Sequence, residues 1–345
     1  MVDIRIFKEM HPPSDEHVPN TDDLGPEITA QGKPPPQNDD FLLCLPPTVS
    51  GYHMHKKAWV KLPVSRMTEV KWNQDAFKKL VVDDQKKELI KALVTNRIAA
   101  GESTDLMSGK GNGLFILLHG GPGTGKTLTA ESVAEIAEKP LYRVTCGDIG
   151  TKAEDVERYL ETVLLLGKAW ECVVLLDEAD VFLMQRSVSD FERNALVSVF
   201  LRVLEYYDGI LILTSNRVGT FDAAFKSRIQ LSLHYPALQE ADRLKIWKNF
   251  IEHIQGLTSS RTAALGIKVD EIKRQLPELA KISLNGREIR NAVSTARQLA
   301  MFKNEPMGYK HLDLVIGEMK KFDDYATGLK GGLTDDEIAR GFQER

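Results

Sequence analysis

Residues 114–138 read LFILLHGGPGTGKTLTAESVAEIAE, and the fold is decided here. LFILL is an unbroken apolar run of strand length, closed by glycine. GGPGTGKT, Gly120 to Thr127, fits the spacing GxxxxGK[ST] and lies between that strand and an amphipathic helix expected over Thr127 to Glu138, the context in which the motif cradles phosphate. Its glycines let the backbone turn so that successive amides face phosphate oxygens, and the helix start adds the positive end of its dipole. Lys126 is placed to bridge the β- and γ-phosphates and Thr127 to hold Mg²⁺ through its hydroxyl. The nucleotide-contacting stretch is therefore Gly120, Gly121, Pro122, Gly123, Thr124, Gly125, Lys126, Thr127 and Leu128.

Outward from the loop, strands and helices alternate. LYRV precedes a helix expected over Ala153 to Leu165, CVVLL precedes one over Asp190 to Tyr206, and ILILT follows. Thr151 with Glu154 and Ser189 with Glu192 have the spacing of capping boxes at two helix starts. Such alternation predicts an α/β fold with a mostly parallel sheet covered by helices on both faces. CVVLLDE puts Asp177 and Glu178 at the C-terminal end of a buried strand, where ligands of such sheets gather. Asp177 is placed to hold the metal and Glu178 to take a proton from the attacking water.

With these two motifs and the segment LILTSNRVGTFDAAFKSRIQLSLHYP, the chain from about Phe77 to Phe322 resembles the AAA+ ATPases. The resemblance implies a P-loop NTPase core followed by a small all-α lid, binding ATP with Mg²⁺ and hydrolysing it as a homo-oligomer, usually a hexameric ring. It further implies that Asn216 senses the γ-phosphate, that Arg228 enters a neighbour's site as an arginine finger, and that Arg287 in SLNGREIRNAV aims back at the nucleotide from the lid. Arg290 lies one turn further along. Around Arg228 the segment is shorter than in the many relatives with two arginines there, and only Lys226 accompanies it. Relatives that thread polypeptide carry an aromatic-Gly pair after the second strand, where this chain has Ile149 and Gly150. As a whole the sequence is similar to a group of fungal AAA+ proteins in which this core follows a longer N-terminal region. Met1 to Val64 would then be the end of a preceding partner-binding part.

Those parallels divide the chain into a proline-rich segment expected to be disordered (1–40), a small β element (41–75), the large α/β ATPase subdomain (76–236), the helical lid (237–322) and a tail (323–345). Seven of the 15 prolines fall between His11 and Asp40 among few apolar residues, too little burial to offset ordering entropy. Around Tyr52 and from Trp59 to Val64 the chain is β-prone, with a polar turn at His53 to Lys57. Helices follow around Leu80 to Val94 and, beyond Pro236, around Trp247, Leu276 and Val293, with Trp247 expected to anchor lid packing. A short capped helix is expected from Thr334.

Composition excludes several classes. Forty-five basic against 49 acidic residues give a net charge of −4, so no overall field favours nucleic acid, and a DNA partner is disfavoured. Three scattered cysteines form no CxxC pair and read as packed thiols. No apolar run approaches the roughly 20 residues of a membrane helix, and the start lacks a secretory pattern, so a soluble cytoplasmic or nuclear protein is expected. The leading reading is an ATPase that remodels an unknown protein substrate. An ATP-gated scaffold with negligible hydrolysis and a clamp-loader-like factor acting on DNA stand as alternatives.

Overall fold

A computed structural model describes residues 1–12, 45–99, 113–149, 152–185, 190–216, 221–259 and 266–329. Most of the proline-rich tract and the helix expected from Thr334 lie outside these residues. The chain forms two compact units, Met1–Lys71 and Trp72–Arg345.

In the first unit a short helix, α1 (Ile4–Met10), is capped by the Asp3 side chain, which accepts from the Ile6 amide. The β-prone segment folds as an antiparallel hairpin of β1 (Thr48–His53) and β2 (Ala58–Pro63), turning at the expected polar residues. Trp59 is its packing centre: Phe7 and Tyr52 meet its ring edge-on at 5.0 and 5.5 Å.

In the second unit, α2 (Asp75–Lys78) and α3 (Asp84–Ala99) precede a five-stranded sheet. Its strands are β3 (Leu114–Gly120), β4 (Leu141–Thr145), β5 (Val173–Asp177), β6 (Ile210–Ser215) and β7 (Leu231–Tyr235). They lie in the order β4-β5-β6-β3-β7, all parallel, as the strand-helix alternation predicts. Every residue of β5 and β6 is buried, which is why both read as continuous apolar runs. At the sheet's edge, β7 instead alternates buried and exposed residues, LSLHY.

Between the strands run α4 (Lys126–Ala137), α5 (Cys146–Ile149), α6 (Ala153–Ala169), α7 (Asp180–Leu183), α8 (Phe191–Glu205) and α9 (Ala223–Lys226). Two helix starts differ from expectation. The N-caps are Lys152, with no side-chain cap bond, and Asp190, whose carboxylate accepts from the Arg193 amide at 3.0 Å. Each lies one residue beyond the expected Thr or Ser, and Thr151 and Ser189 themselves lie outside the described residues. On α8 the buried residues are Val197, Phe200, Leu201 and Leu204, with Leu196, Val199 and Val203 half-buried beside them.

Among the described residues four helices follow the sheet: α10 (Glu240–Ser259), α11 (Val269–Lys281), α12 (Gly286–Phe302) and α13 (Tyr309–Leu329). Their own core holds Trp247, Leu276 and Val293 as expected, with Trp247 fully buried. The last helix continues through position 322 to Leu329, so the expected lid boundary falls inside a helix. Among the described residues no helix is long and apolar enough to cross a membrane.

Candidate functional site

Register brings the sequence-selected residues to one edge of the sheet. Thr145 pairs with Asp177, Leu176 with Leu213, His119 with Ser215 and Gly120 with Tyr235. The loop after β3, the acids after β5 and the half-buried Asn216 after β6 therefore leave the sheet at the same C-terminal tips.

The loop's shape depends on glycine. Gly120 has φ +145°, and a Cβ there would lie 2.1 Å from the Tyr235 carbonyl oxygen. Gly123 has φ +69°, and a Cβ there would lie 2.3 Å from Asn285 Oδ1. Thr124 Oγ1 donates to the Gly121 carbonyl at 2.8 Å. Lys126 is 6% exposed, and its ammonium donates to the carbonyls of Gly120 and Gly121 at 2.8 and 2.7 Å, bonds that offset its desolvation. Thr129 on the following helix bonds the Tyr235 hydroxyl at 2.8 Å, and burial pushes that phenol up to about 12.

Asp177 joins the loop to both neighbouring strands. Its Oδ1 accepts from Thr127 Oγ1 at 3.0 Å and Thr214 Oγ1 at 2.6 Å, and its Oδ2 accepts from Arg143 Nη2 at 2.6 Å. The Asp177 side chain is 7% exposed and that of Arg143 46%. A carboxylate this buried would be costly without donors, and here it has three. Glu178, the next residue, is exposed and takes φ +59°, a left-handed backbone uncommon for a residue with a side chain. Thr214 Oγ1 also accepts from the Glu178 amide at 2.9 Å, and Ser215 donates to Asp180.

The helical half touches the loop directly. The Gly286 amide donates to the Gly123 carbonyl at 2.9 Å. Asn285 caps α12, its Oδ1 accepting from the amides of Arg287 and Glu288 while Glu288 returns a bond to the Asn285 amide, a complete capping box. Arg287 is exposed in that first turn. Partial burial raises the Glu131 carboxyl above its ordinary value against the pull of Arg143 and Arg290, so both charges act on the helix that carries Lys126.

Arg228 stands apart. It lies 3.7 Å from Glu205 at the end of α8, and its Nη1 donates to the Ala224 carbonyl at 3.1 Å. Two residues on, Gln230 bonds Gly113 and Phe115 at the start of β3. That places Arg228 at the opposite end of the sheet from Lys126, separated by the length of β3, roughly 20 Å. The chain's own strand tips gather Lys126, Thr127, Asp177, Glu178 and Asn216, but not Arg228.

Sequence reasoning missed Arg143, Thr214 and Asn285. The arginine and threonine reach the site only through strand register. Asn285 had a usable signal, because NGRE from Asn285 to Glu288 has capping-box spacing at a helix start.

Residues 116–237 match the family described as ATPase family associated with various cellular activities (AAA), and residues 238–332 match the fungal AAA+ ATPase lid domain. The chain carries an AAA ATPase domain followed by a fungal AAA+ lid domain. Its large α/β unit and the α10–α13 bundle are thus an AAA core and its lid. Among curated relatives, ATPase family AAA domain-containing protein 3 of Caenorhabditis elegans is 31% identical over 198 residues, 53% of this chain and 33% of that protein. ATPase family AAA domain-containing protein 3-A of Xenopus laevis is 28% identical over 246 residues, 67% of this chain and 40% of that protein. The human ATPase family AAA domain-containing protein 3B is 27% identical over 197 residues, 52% of this chain and 30% of that protein. The chain thus spans well under half the length of these relatives.

Proposed function

We propose that this AAA core and lid bind ATP with Mg²⁺ and hydrolyse it, within an assembly of several copies that couples turnover to remodelling of a protein substrate. The observation that carries the reading is the 3.0 Å bond between Thr127 Oγ1 and Asp177 Oδ1 beside the buried Lys126. A hydroxyl and a carboxylate oxygen at one point, next to a phosphate loop, are the hard oxygen donors that magnesium takes together with substrate phosphates and water. When bound, the ion draws off charge that develops on the phosphate oxygens.

The loop amides and Lys126 would hold the triphosphate, and Thr127 and Asp177 would hold the metal. Glu178, turned outward at the strand tip, would take one proton from water as its oxygen attacks the γ-phosphorus and the bond to the bridging oxygen breaks, giving ADP and phosphate. Asn216 at the neighbouring tip would fix that water. Arg228, remote from its own loop, would serve only the site of an adjacent copy. Arg287 would bring the lid to bear on the nucleotide from the capped turn beside Gly123.

The test compares wild type, Glu178→Gln and Lys126→Ala. Wild type should release phosphate well above the Lys126→Ala level. Glu178→Gln should bind a fluorescent ATP analogue normally while turnover falls by about 10²–10⁴-fold. Unchanged turnover in Glu178→Gln would remove the proton-acceptor role, and a wild type no faster than Lys126→Ala would leave a nucleotide-gated scaffold.

A further inference from the structure

Two groups of the proposed hydrolytic centre meet at one buried hydroxyl outside the phosphate loop and the acidic pair. Thr214 is 2% exposed on β6, level with Asp177 on β5 and two residues before Asn216. Its Oγ1 donates to Asp177 Oδ1 at 2.6 Å and accepts from the Glu178 amide at 2.9 Å. A hydroxyl has one proton and two lone pairs, so both bonds are made at once. The Thr214 carbonyl accepts from the Ala179 amide at 2.8 Å. One residue therefore ties down the whole turn from Asp177 to Ala179.

That turn needs tying. Glu178 sits at φ +59°, a conformation that persists in a residue with a Cβ only where its surroundings over-determine it. The direction in which the Glu178 side chain leaves the strand tip follows from that backbone angle, and the amide whose orientation defines it is the one Thr214 holds. Asp177 depends less on Thr214, since Thr127 and Arg143 would still donate to it. Removing the hydroxyl thus acts chiefly on Glu178, by leaving its amide without that acceptor and its turn without that anchor.

We infer that Thr214 is a positioning residue for hydrolysis: its side-chain hydroxyl fixes the Glu178 turn relative to the metal-holding carboxylate. The inference rests on the proposed ATPase reading and adds to it a residue outside the phosphate loop, the acidic pair and the arginines. A purely structural role would lower stability and nucleotide affinity together. A positioning role separates binding from turnover.

The experiment uses the full chain with Thr214→Val, which keeps shape and removes the hydroxyl, and Thr214→Ser, which keeps the hydroxyl. Affinity for a fluorescent ATP analogue with Mg²⁺ is measured beside single-turnover phosphate release. Thr214→Val should bind within about 3-fold of wild type while turnover falls by about 10–10²-fold, the scale on which small misplacements act, and Thr214→Ser should recover most of it. Thr214→Ala, which leaves room for a water, carries the same comparison should the valine chain not fold. A Thr214→Val turning over within 2-fold of an active wild type overturns the inference and leaves the ATPase reading intact. Affinity falling in step with turnover, or a serine variant as slow as the valine one, also overturns it. A wild type no faster than Lys126→Ala overturns the ATPase reading first, and this inference with it.

Discussion

At the tips of β3 and β5 the key side chains already have partners within the chain: Lys126 two carbonyls, Asp177 three donors, Thr127 a carboxylate. Arg228 and Arg287 are situated differently. The first is tied to Glu205 and Ala224 at the far end of the sheet, and the second is exposed at a helix start. Under the proposed function, the difference separates what one chain builds alone from what would need another copy or a moving lid. The groups proposed to bind phosphate and metal already hold one another within the chain, while the roles proposed for the arginines each need a second event.

The sharpest way to break that contrast is Arg228→Ala. If the residue completes a neighbour's site, turnover should fall by about 10³-fold or more, the scale of arginine fingers. Stability should barely move, since a half-exposed pair at 3.7 Å contributes little. Mixing Arg228→Ala with Lys126→Ala chains should then restore part of the activity, because each Lys126→Ala copy lends an intact finger to an intact site. Phosphate release from mixed and separate preparations checks this, and no recovery on mixing would place Arg228 outside any shared site.

Gly120→Ala probes the built half. The new methyl would meet the Tyr235 carbonyl at 2.1 Å, and the backbone would keep a φ that alanine rarely takes. The expected cost is about 2–3 kcal/mol in urea unfolding. A loss near zero would mean that the loop relaxes freely, and that the cradle is not held by β7.

Asn285→Ala tests the bridge between the two halves. Losing the cap of α12 should cost about 1 kcal/mol, with Asn285→Asp close to wild type. Nucleotide affinity should weaken along with it, since the capped turn is the lid's contact with Gly123. Unaltered affinity in a destabilised variant would show that the cap serves the helix and not the site.

What the sequence revealed follows the same division. Lys126, Thr127, Asp177 and Glu178 were legible because fixed spacing and a flanking apolar strand specify them locally. The parallel sheet was legible because strands buried on both faces read as unbroken apolar runs. The edge strand β7 was not, since its alternation LSLHY follows a polar segment and lacks that signature. Arg143 and Thr214 were invisible for a stronger reason. Each matters only because β4 and β6 flank β5 at a register that sets them beside Asp177, and no spacing along the chain encodes that adjacency. The helix starts at Lys152 and Asp190 slipped by one residue because Thr and Ser precede each at capping-box spacing, while the Asp190 carboxylate takes the cap for itself.

The smallest expected effect concerns the contact between sheet and loop. His119, the last side chain before the glycines, has its pKa lowered by burial first, then by the nearby charges of His234, Lys126 and Lys86. The folded state therefore resists protonation more than the unfolded chain, whose histidine titrates near ~6.5. Between the depressed value and that pH the unfolded state binds more protons, so this contribution to stability is complete above about pH 6.5 and is lost as pH falls. A proton on His119 would also set a second positive charge against the buried Lys126, at the junction that holds the loop to β3. Urea unfolding of wild type and His119→Phe at pH 7.5 and 5.5 isolates the effect, since Phe221 already packs edge-on against this ring at 5.9 Å and should accept a phenyl group. Wild type should lose more stability on acidification than the variant. Equal losses would place the acid sensitivity elsewhere and make His119 a packed ring with no electrostatic bearing on the loop.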